Sequence, residues 1–288
     1  MKKLFCRFGL PALLLVQLYF SGCDKVDAPY KTKSNADTTA CVFSDTAVQP
    51  RIVFLEDFTG HTCGNCPRAN DKGLELKNTY GEQLVVMALH TGSYTTPQPP
   101  QMPYDFRNPV ADELNVIFQL TDKPRGMVNR KGFPASLHKL AFTNWGTEIT
   151  ISLALPADAN IFLENKYSTA DKKLTVCIKT KWINTLSGDF KLDVYLTEDS
   201  IVKPQLDYRL PAGQDTIFAY IHRHVLRTAV NSAFGDALPA SSAGTSDERS
   251  FSLTLGTDWV PEHCVVVAIV YNATTYEVVQ ASEKKMVK

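Results

Sequence analysis

The sequence lacks an excess of either charge. Its 288 residues include 30 lysines and arginines and 30 aspartates and glutamates, and no basic patch is interleaved with aromatic residues. Proteins that bind nucleic acid carry such patches, so nucleic acid is not an expected partner. The sequence also lacks internal repeats, and its length suits two domains.

Near its start, the sequence also lacks an apolar run long enough to cross a membrane as a helix. Residues 8–20 are apolar but are interrupted by a proline and a glutamine, and three basic residues precede them. This pattern is typical of an export signal. The segment Phe20-Ser21-Gly22-Cys23 resembles the lipobox of bacterial lipoproteins. The resemblance implies a signal peptide over residues 1–22 and a lipid anchor on Cys23 that attaches the mature chain to a membrane; an ordinary secretory signal cut nearby is the alternative.

Residues 23–49 lack a periodic apolar pattern. They are predicted to form the lipidated N-terminus and a flexible tether that holds the globular part away from the bilayer. Cys41 lies in this segment and has no assigned role.

Two cysteines, Cys63 and Cys66, lie between a predicted strand and a predicted helix. Residues 52–58 are rich in β-branched and aromatic side chains and precede Thr59-Gly60, as a buried strand would. Helical spacing begins at Pro67, which the first helical turn tolerates. A thiol at a helix N-terminus has a lowered pKa and becomes a nucleophile. Cys66 could then attack a mixed disulfide formed on Cys63.

Three interpretations of this pair remain open: a redox site, an inert structural disulfide and half of a metal site. Zinc would require a second pair, and no other Cys-x-x-Cys occurs, so His61 or His90 would have to converge on the first. Positive charge from Arg68 and His61 would favour the thiolate. The strand–pair–helix context favours the redox interpretation.

The arrangement resembles the thioredoxin superfamily. Asp57 lies six residues before Cys63, where thioredoxins carry an acid on the strand beneath the active site, and the resemblance implies that Asp57 shuttles protons for Cys66. Lys123-Pro124 resembles the cis-proline segment of that fold, in which the proline opposes the cysteines and its neighbours pair with the substrate backbone. The resemblance implies an α/β thioredoxin-like domain over residues 50–155.

Two residues depart from the usual thioredoxin pattern. Thr62 replaces the usual tryptophan, and Gly64-Asn65 replaces Gly-Pro, so the redox potential is left open. Within the same domain a proline-rich stretch, residues 97–103, cannot form a helix or an inner strand. A loop that overhangs the cysteines and a mobile surface insertion are both compatible with it.

Residues 156–288 consist of short alternating segments punctuated by turn residues. Strands are predicted at residues 173–182, 190–196, 215–220, 251–255, 264–271 and 277–281. This pattern predicts an all-β sandwich domain, immunoglobulin-like in type. Because this half has no glycine-rich phosphate loop and no nucleophile elbow, it is interpreted as a binding or spacing module.

Two further pairs of residues in this half suggest sites, each with a simpler alternative. His222 and His224 would share one face of an extended strand and could hold a metal, but packing or hydrogen-bonding histidines are the default. A disulfide between Cys177 and Cys264 is possible in an oxidising compartment. No metal and no cofactor is predicted for the chain.

Several motifs taken together resemble one narrower family. They are Glu56 to Gly60, Cys63-x-x-Cys66-Pro67, His90-Thr91-Gly92, Pro124 to Arg130 and Tyr220 to Arg227. They resemble the lipoprotein family named after a twenty-eight-kilodalton outer membrane protein of Gram-negative bacteria. The resemblance covers residues 50–288 and implies an outer-membrane or cell-surface location, but it brings no established reaction.

Two functions remain in play. The first is a membrane-tethered thiol–disulfide oxidoreductase acting on envelope or surface proteins, with Cys63, Cys66, Asp57 and Pro124 as its site. The second is a non-catalytic surface binding or adhesion protein that keeps the thioredoxin-like fold as a scaffold.

Overall fold

Strands dominate the part of the chain that the computed structural model describes, residues 42–43 and 47–287. The helices are α1 (Cys66–Tyr80), α2 (Pro109–Phe118) and α3 (Trp145–Leu153). The strands are β1 (Val53–Thr59), β2 (Leu84–His90), β3 (Arg125–Val128), β4 (Ala159–Ser168), β5 (Lys173–Trp182), β6 (Phe190–Glu198), β7 (Ile201–Leu206), β8 (Thr216–His222), β9 (Val225–Ala229), β10 (Asp236–Ala237), β11 (Ser246–Thr254), β12 (Cys264–Asn272) and β13 (Val278–Lys285).

The predicted lipoprotein features are not part of this description. The signal peptide over residues 1–22, the lipidation site Cys23, Cys41 and most of the tether lie outside the described residues. Among the residues that are described, no helix is long and apolar enough to cross a membrane.

One mixed sheet contains strands from both predicted domains. Its order is β13-β12-β6-β9-β2-β1-β3, with β10 paired to β6. β1 and β2 are parallel, β3 is antiparallel to β1, and β9 joins β2 through the pair Ala88 and Val225. The boundary predicted between residues 155 and 156 stays a prediction. The described residues on its two sides share this sheet and belong to one compact unit.

A second sheet packs against the C-terminal part of the first. Its antiparallel order is β11-β5-β4. The predicted alternation in β5 is confirmed, because Leu174, Val176 and Ile178 are buried in the core between the sheets. The third sheet is the hairpin of β7 and β8, whose strands pair only with each other among the described residues. The prediction of a β-rich protein with several sheets is therefore confirmed.

The helices cover both faces of the N-terminal part of the large sheet. Side chains of β1 alternate, as expected for a strand. Phe54 and Phe58 pack with α2, whereas Val53 and Leu55 pack with α1 and α3. Trp145 of α3 lies so close to β3 that a Cβ on Gly126 would come within 2.5 Å of its ring. β1 therefore lies between the two helical layers and packs against both of them.

Most predicted elements are present, with small shifts in their bounds. The strand before the cysteines and the helix that begins beside Pro67 are confirmed. Four strands of the C-terminal half, β4, β7, β9 and β10, were not predicted. The suggested bridge between Cys177 and Cys264 is wrong, because Cys264 is a free thiol buried in the core. Cys177 itself is disulfide-bonded.

A fully buried ion cluster connects the two halves of the large sheet. Arg130 donates two hydrogen bonds of 2.9 Å to the carboxylate of Glu56 on β1. Its guanidinium also lies 3.7 Å from Asp193 on β6, and Tyr195 donates to Asp193 at 2.6 Å. The ring of Phe118 lies 4.9 Å from the guanidinium carbon. None of the charged side chains is exposed, so the charges are stabilised by one another, by the hydroxyl of Tyr195 and by the ring of Phe118.

Replacing Arg130 by methionine is expected to destabilise the protein by about 3–5 kcal/mol, because Glu56 would remain buried without its partner. Arg125→Met is the matched control, since it breaks the exposed ion pair of Arg125 with Asp122 and should cost at most about 1 kcal/mol. Urea unfolding followed by circular dichroism measures both. Equal losses in the two variants would contradict the importance of the buried cluster.

Candidate functional site

The predicted cysteine pair lies at the start of α1. Cys63 and Cys66 form a disulfide, with their Cα atoms 5.4 Å apart. Cys66 is the first residue of the helix and Pro67 the second, as the sequence predicts. The turn before the helix is held by main-chain bonds from Cys63 N to Gly60 O and from Cys66 N to Cys63 O, each 3.1 Å. The pair therefore lies between a buried strand and a helix N-terminus.

The disulfide is buried beneath the hairpin of β7 and β8. Cys63 is 4% exposed and Cys66 is 0% exposed. Gln205 donates from its side chain to the main-chain oxygen of Cys63 at 3.2 Å. The ring of Tyr208 lies over Gly64, where an added Cβ would come within 2.4 Å of it. A residue with a side chain at position 64 would therefore collide with the hairpin as it stands.

Asp57 lies on the α1 side of β1, and its carboxyl group is buried. One of its oxygen atoms has no hydrogen-bond partner in the protein. Burial raises the pKa of Asp57 to about 8, although the positive charge of Lys123 opposes the shift. Burial in turn lowers the pKa of Lys123 to about 8. Asp57 is therefore mostly protonated at neutral pH, and it can accept or release a proton at a pH near neutral.

Pro124 immediately precedes β3, and the peptide bond between Lys123 and Pro124 is cis. In the antiparallel register Arg125 lies opposite Phe58, the last residue but one of β1 in the direction of the cysteines. Pro124 thus lies at the same end of β1 as the turn that carries Cys63. The sequence separates these elements by about sixty residues, and the register of the sheet brings them together.

Three buried histidines from separate parts of the chain surround Phe106. The ring of His61 lies 5.0 Å from that of Phe106, His90 stacks on it at 4.3 Å, and His222 approaches it at 4.6 Å. None of their ring nitrogens has a hydrogen-bond partner of normal geometry in the protein. Phe106 follows the proline-rich stretch, so this loop is anchored beside the site by its last aromatic residue.

All three histidines are neutral at pH 7. Burial lowers the pKa of His61 to about 4 and that of His222 to about 3, and the pKa of His90 lies well below its ordinary value for the same reason. The expectation that His61 adds positive charge beside the cysteines is therefore wrong, since its packing against Phe106 excludes the water that a charged ring needs.

The suggested pair of His222 and His224 on one strand face is also wrong. β8 ends at His222, and His224 has a left-handed backbone with φ of 53°. The ring of His224 instead approaches Asp199 on the connection to β7, with 3.6 Å between Nδ1 and Oδ1. Packing, the simpler alternative, describes both histidines. Among the described residues, no three His, Cys, Asp or Glu side chains are arranged to hold a metal ion.

A cavity of about 280 Å³ lies between α1 and β8, next to Asp57. Its polar wall includes Asp57, Asn70, Tyr220, His90 and His222. Asn70 donates to the hydroxyl of Tyr220 at 3.1 Å and so closes one side. The cavity provides space for water beside the acid of β1, beneath the helix that begins at Cys66.

The sequence did not indicate Gln205, Tyr208 or Phe106 as residues of the site. Gln205 reaches Cys63 across 142 positions of the chain, and no local pattern marks such a contact. Gly64 was noted only as a departure from the thioredoxin pattern. Its lack of a side chain is the one signal in the sequence that the turn is closely approached by another segment.

The histidines should make stability depend on pH. A histidine with a lowered pKa stabilises the folded state above pH 6.5, and this contribution is lost as the pH falls and the unfolded chain takes up the proton. We expect the stability advantage of the wild type over His90→Gln to shrink by about 2 kcal/mol between pH 6.5 and pH 5. Urea unfolding at a series of pH values measures it.

The buried acids Asp57 and Asp193 titrate equally in the wild type and in His90→Gln. Their contribution therefore cancels in the difference between the two free energies of unfolding. An advantage that stays constant over this pH range would show that His90 is charged in the folded protein.

Comparison with known proteins relates the chain to outer membrane proteins. The model of the family described as outer membrane protein Omp28 matches residues 111–288. This range includes Pro124 and the hairpin but not Cys63 or Cys66. No curated protein sequence is significantly similar to the chain.

Of the following three solved structures, the first two share the fold at low sequence identity. HBP35 of Porphyromonas gingivalis aligns with a TM-score of 0.63 and 18% identity over 84% of this chain and 77% of its own. Protein AGR_C_4864 from Agrobacterium tumefaciens aligns with a TM-score of 0.51 and 14% identity, covering 84% and 97%. A domain of the outer membrane lipoprotein Omp28 from P. gingivalis has a TM-score of 0.32 and 23% identity, covering 46% and 89%.

The family match spans well over half of the chain and agrees with the resemblance of the sequence motifs. The chain therefore belongs to the Omp28 family of outer membrane proteins, and its predicted outer-membrane location is confirmed.

Proposed function

We propose that this outer membrane protein is a thiol–disulfide oxidoreductase whose site is Cys63 and Cys66, tethered to the membrane by a lipid on Cys23. The observation that carries the proposal is the disulfide at the first turn of α1, directly after β1. A helix N-terminus stabilises a thiolate, which is both the attacking and the leaving group of disulfide exchange.

We further propose that residues 50–155 are a thioredoxin-like domain and residues 156–288 an immunoglobulin-like sandwich. The parallel β1–α1–β2 unit, the antiparallel β3 that follows Pro124 and the helix α3 support the first assignment. The facing sheets in the C-terminal half support the second. In this assignment Pro124 and its neighbours dock the main chain of the substrate.

The exchange step uses the disulfide as the electron acceptor. A thiolate of a partner protein attacks Sγ of Cys63, the bond between Cys63 and Cys66 breaks, and Cys66 leaves as a thiolate. A second thiolate of the partner then attacks the partner's sulfur in the mixed disulfide and releases Cys63. The partner gains a disulfide and loses two electrons, and the pair becomes a dithiol. Starting from the dithiol, the same steps run in reverse.

Asp57 is proposed to supply and receive the proton of Cys66. Its raised pKa near 8 lets it exchange a proton in the neutral range. The cavity that it borders provides a route for water to the carboxyl group.

The second candidate is a non-catalytic surface binding protein in which the disulfide is structural. The complete burial of the pair beneath the hairpin favours it, as does the absence of a tryptophan before Cys63. Partners of this alternative would bind the exterior of the protein rather than the cysteine turn.

Insulin reduction and ribonuclease refolding distinguish the two candidates. In the proposed function the wild type accelerates both reactions, and Cys63→Ser abolishes the activity because no mixed disulfide can form. Cys264→Ala is the matched control, since this thiol is buried in another part of the core and its variant should keep the activity. A wild type that is no faster than Cys63→Ser would leave the binding protein as the function.

Asp57→Asn should change both rate and stability. When folding raises the pKa of a carboxyl group, the folded state loses stability as the pH rises from about 4 to about 8. The asparagine variant should therefore be more stable than the wild type, by a margin that grows by about 3 kcal/mol between pH 5 and pH 7. Its exchange rate should lose the pH dependence centred near 8. Parallel stability curves for the two proteins would contradict the protonated state of Asp57.

A further inference from the structure

The hairpin of β7 and β8 is an arm inserted between two paired strands of the large sheet. β6 ends at Glu198 and β9 begins at Val225, and these two residues are partners in the sheet register. The chain leaves the sheet after one and returns at the other. Ser200 and His224, at the two connections, both have left-handed backbones, with φ of 59° and 53°. We call residues 201–222 the arm and residues 205–217 the arm tip.

The arm tip crosses the cysteine turn at the point where β7 ends and a turn begins. Leu206 N donates to the main-chain oxygen of His61 at 2.9 Å, and Tyr208 N donates to that of Gly64 at 2.8 Å. The two acceptors lie three residues apart in the turn, one on each side of Cys63. The tip therefore caps the cysteine turn through its main-chain oxygens.

Base and tip of the arm differ in how they are held. At the base, Ile201 and His222 are buried against Phe106. Between base and tip the register of β7 and β8 shifts between Lys203 and Gln205, around Pro204. Such an irregularity, with a residue that cannot donate to the ladder, interrupts pairing and allows a strand to bend.

The tip is fastened by polar contacts, of which those of Gln205 are buried and those of Arg209 lie near the surface. Arg209 bonds Asp71 of α1 at 2.6 Å, but the two side chains are 40% and 56% exposed, and exposed ion pairs contribute little. The outer side of the arm carries exposed apolar side chains, such as Phe218 at 64% exposure. Segments with little buried apolar surface open at lower free energy than the whole fold.

We propose that the arm tip is a built-in inhibitor of the cysteine pair, which covers the cysteine turn and must move away before a protein thiol can reach Sγ of Cys63. This inference rests on the proposed function. The arm tip therefore discriminates by the size of the attacking molecule. A small reductant reaches the disulfide after a slight opening of the tip, whereas a protein thiol requires the whole cysteine turn to be uncovered.

The test compares two reductants on the full chain. One is tris(2-carboxyethyl)phosphine, and the other is a reduced thioredoxin as a protein-sized dithiol. Trapping with maleimide and intact mass measure how fast the disulfide opens. The variant Tyr208→Ala/Arg209→Ala removes the ring over Gly64 and the bond to Asp71. Phe218→Ala is the control, because it removes an exposed side chain of the same arm.

We expect the double variant to be reduced by thioredoxin at least tenfold faster than the wild type, with a change of less than threefold for the phosphine. The control should match the wild type. Leu206→Pro, which removes the donor to His61, should give the same result if the first variant folds poorly. Hydrogen exchange of the tip amides shows whether the tip has been released.

Equal thioredoxin rates with a released tip would overturn the inference. So would tip amides that stay as protected as in the wild type in both variants, because the tip would then be part of the fixed core. Faster reduction of the released variants without any insulin reduction would keep the inhibitory arm and reject the proposed exchange function.

Discussion

Arg130 carries a positive charge in a part of the core that excludes water, and the strands around it must supply the charges that keep it there. Although burial lowers its pKa, Glu56, Tyr195 and Asp193 raise it well above the ordinary value. Glu56 comes from β1, while Asp193 and Tyr195 come from β6. The N-terminal and C-terminal parts of the large sheet therefore have to meet in one register for this charge to be tolerated.

The same strand, β1, organises the site through its alternation. Glu56 faces α2 and the ion cluster, and its neighbour Asp57 faces α1 and the cavity beside the cysteines. Only one of the two buried acids has a guanidinium partner. Glu56 is bonded to Arg130 by two hydrogen bonds, whereas burial keeps Asp57 mostly protonated at neutral pH. One strand thus contributes an ion-pair partner to the core and a titratable group to the cavity beside the cysteines.

Local features of the site could be predicted from the sequence, and long-range features could not. The strand, the cysteine pair and the helix follow one another within thirty residues, so the spacing of apolar residues and the local composition predict them. β4 was missed although Ala159, Ile161 and Leu163 alternate towards the core. β7 was missed because Pro204 interrupts its pattern. The cover over Cys63 and the contact of His222 with Phe106 join segments more than a hundred residues apart, for which a single sequence holds no periodic signal.

The place at which the arm leaves the sheet has a consequence for how such proteins diversify. Since Glu198 and Val225 are neighbours across two strands, a tight turn can connect them without disturbing any other ladder. The length and composition of the arm can therefore vary while the strands of the large sheet keep their registers. In the proposed function, access to the cysteine pair is then set by the arm, which is separate from the residues proposed to carry the exchange.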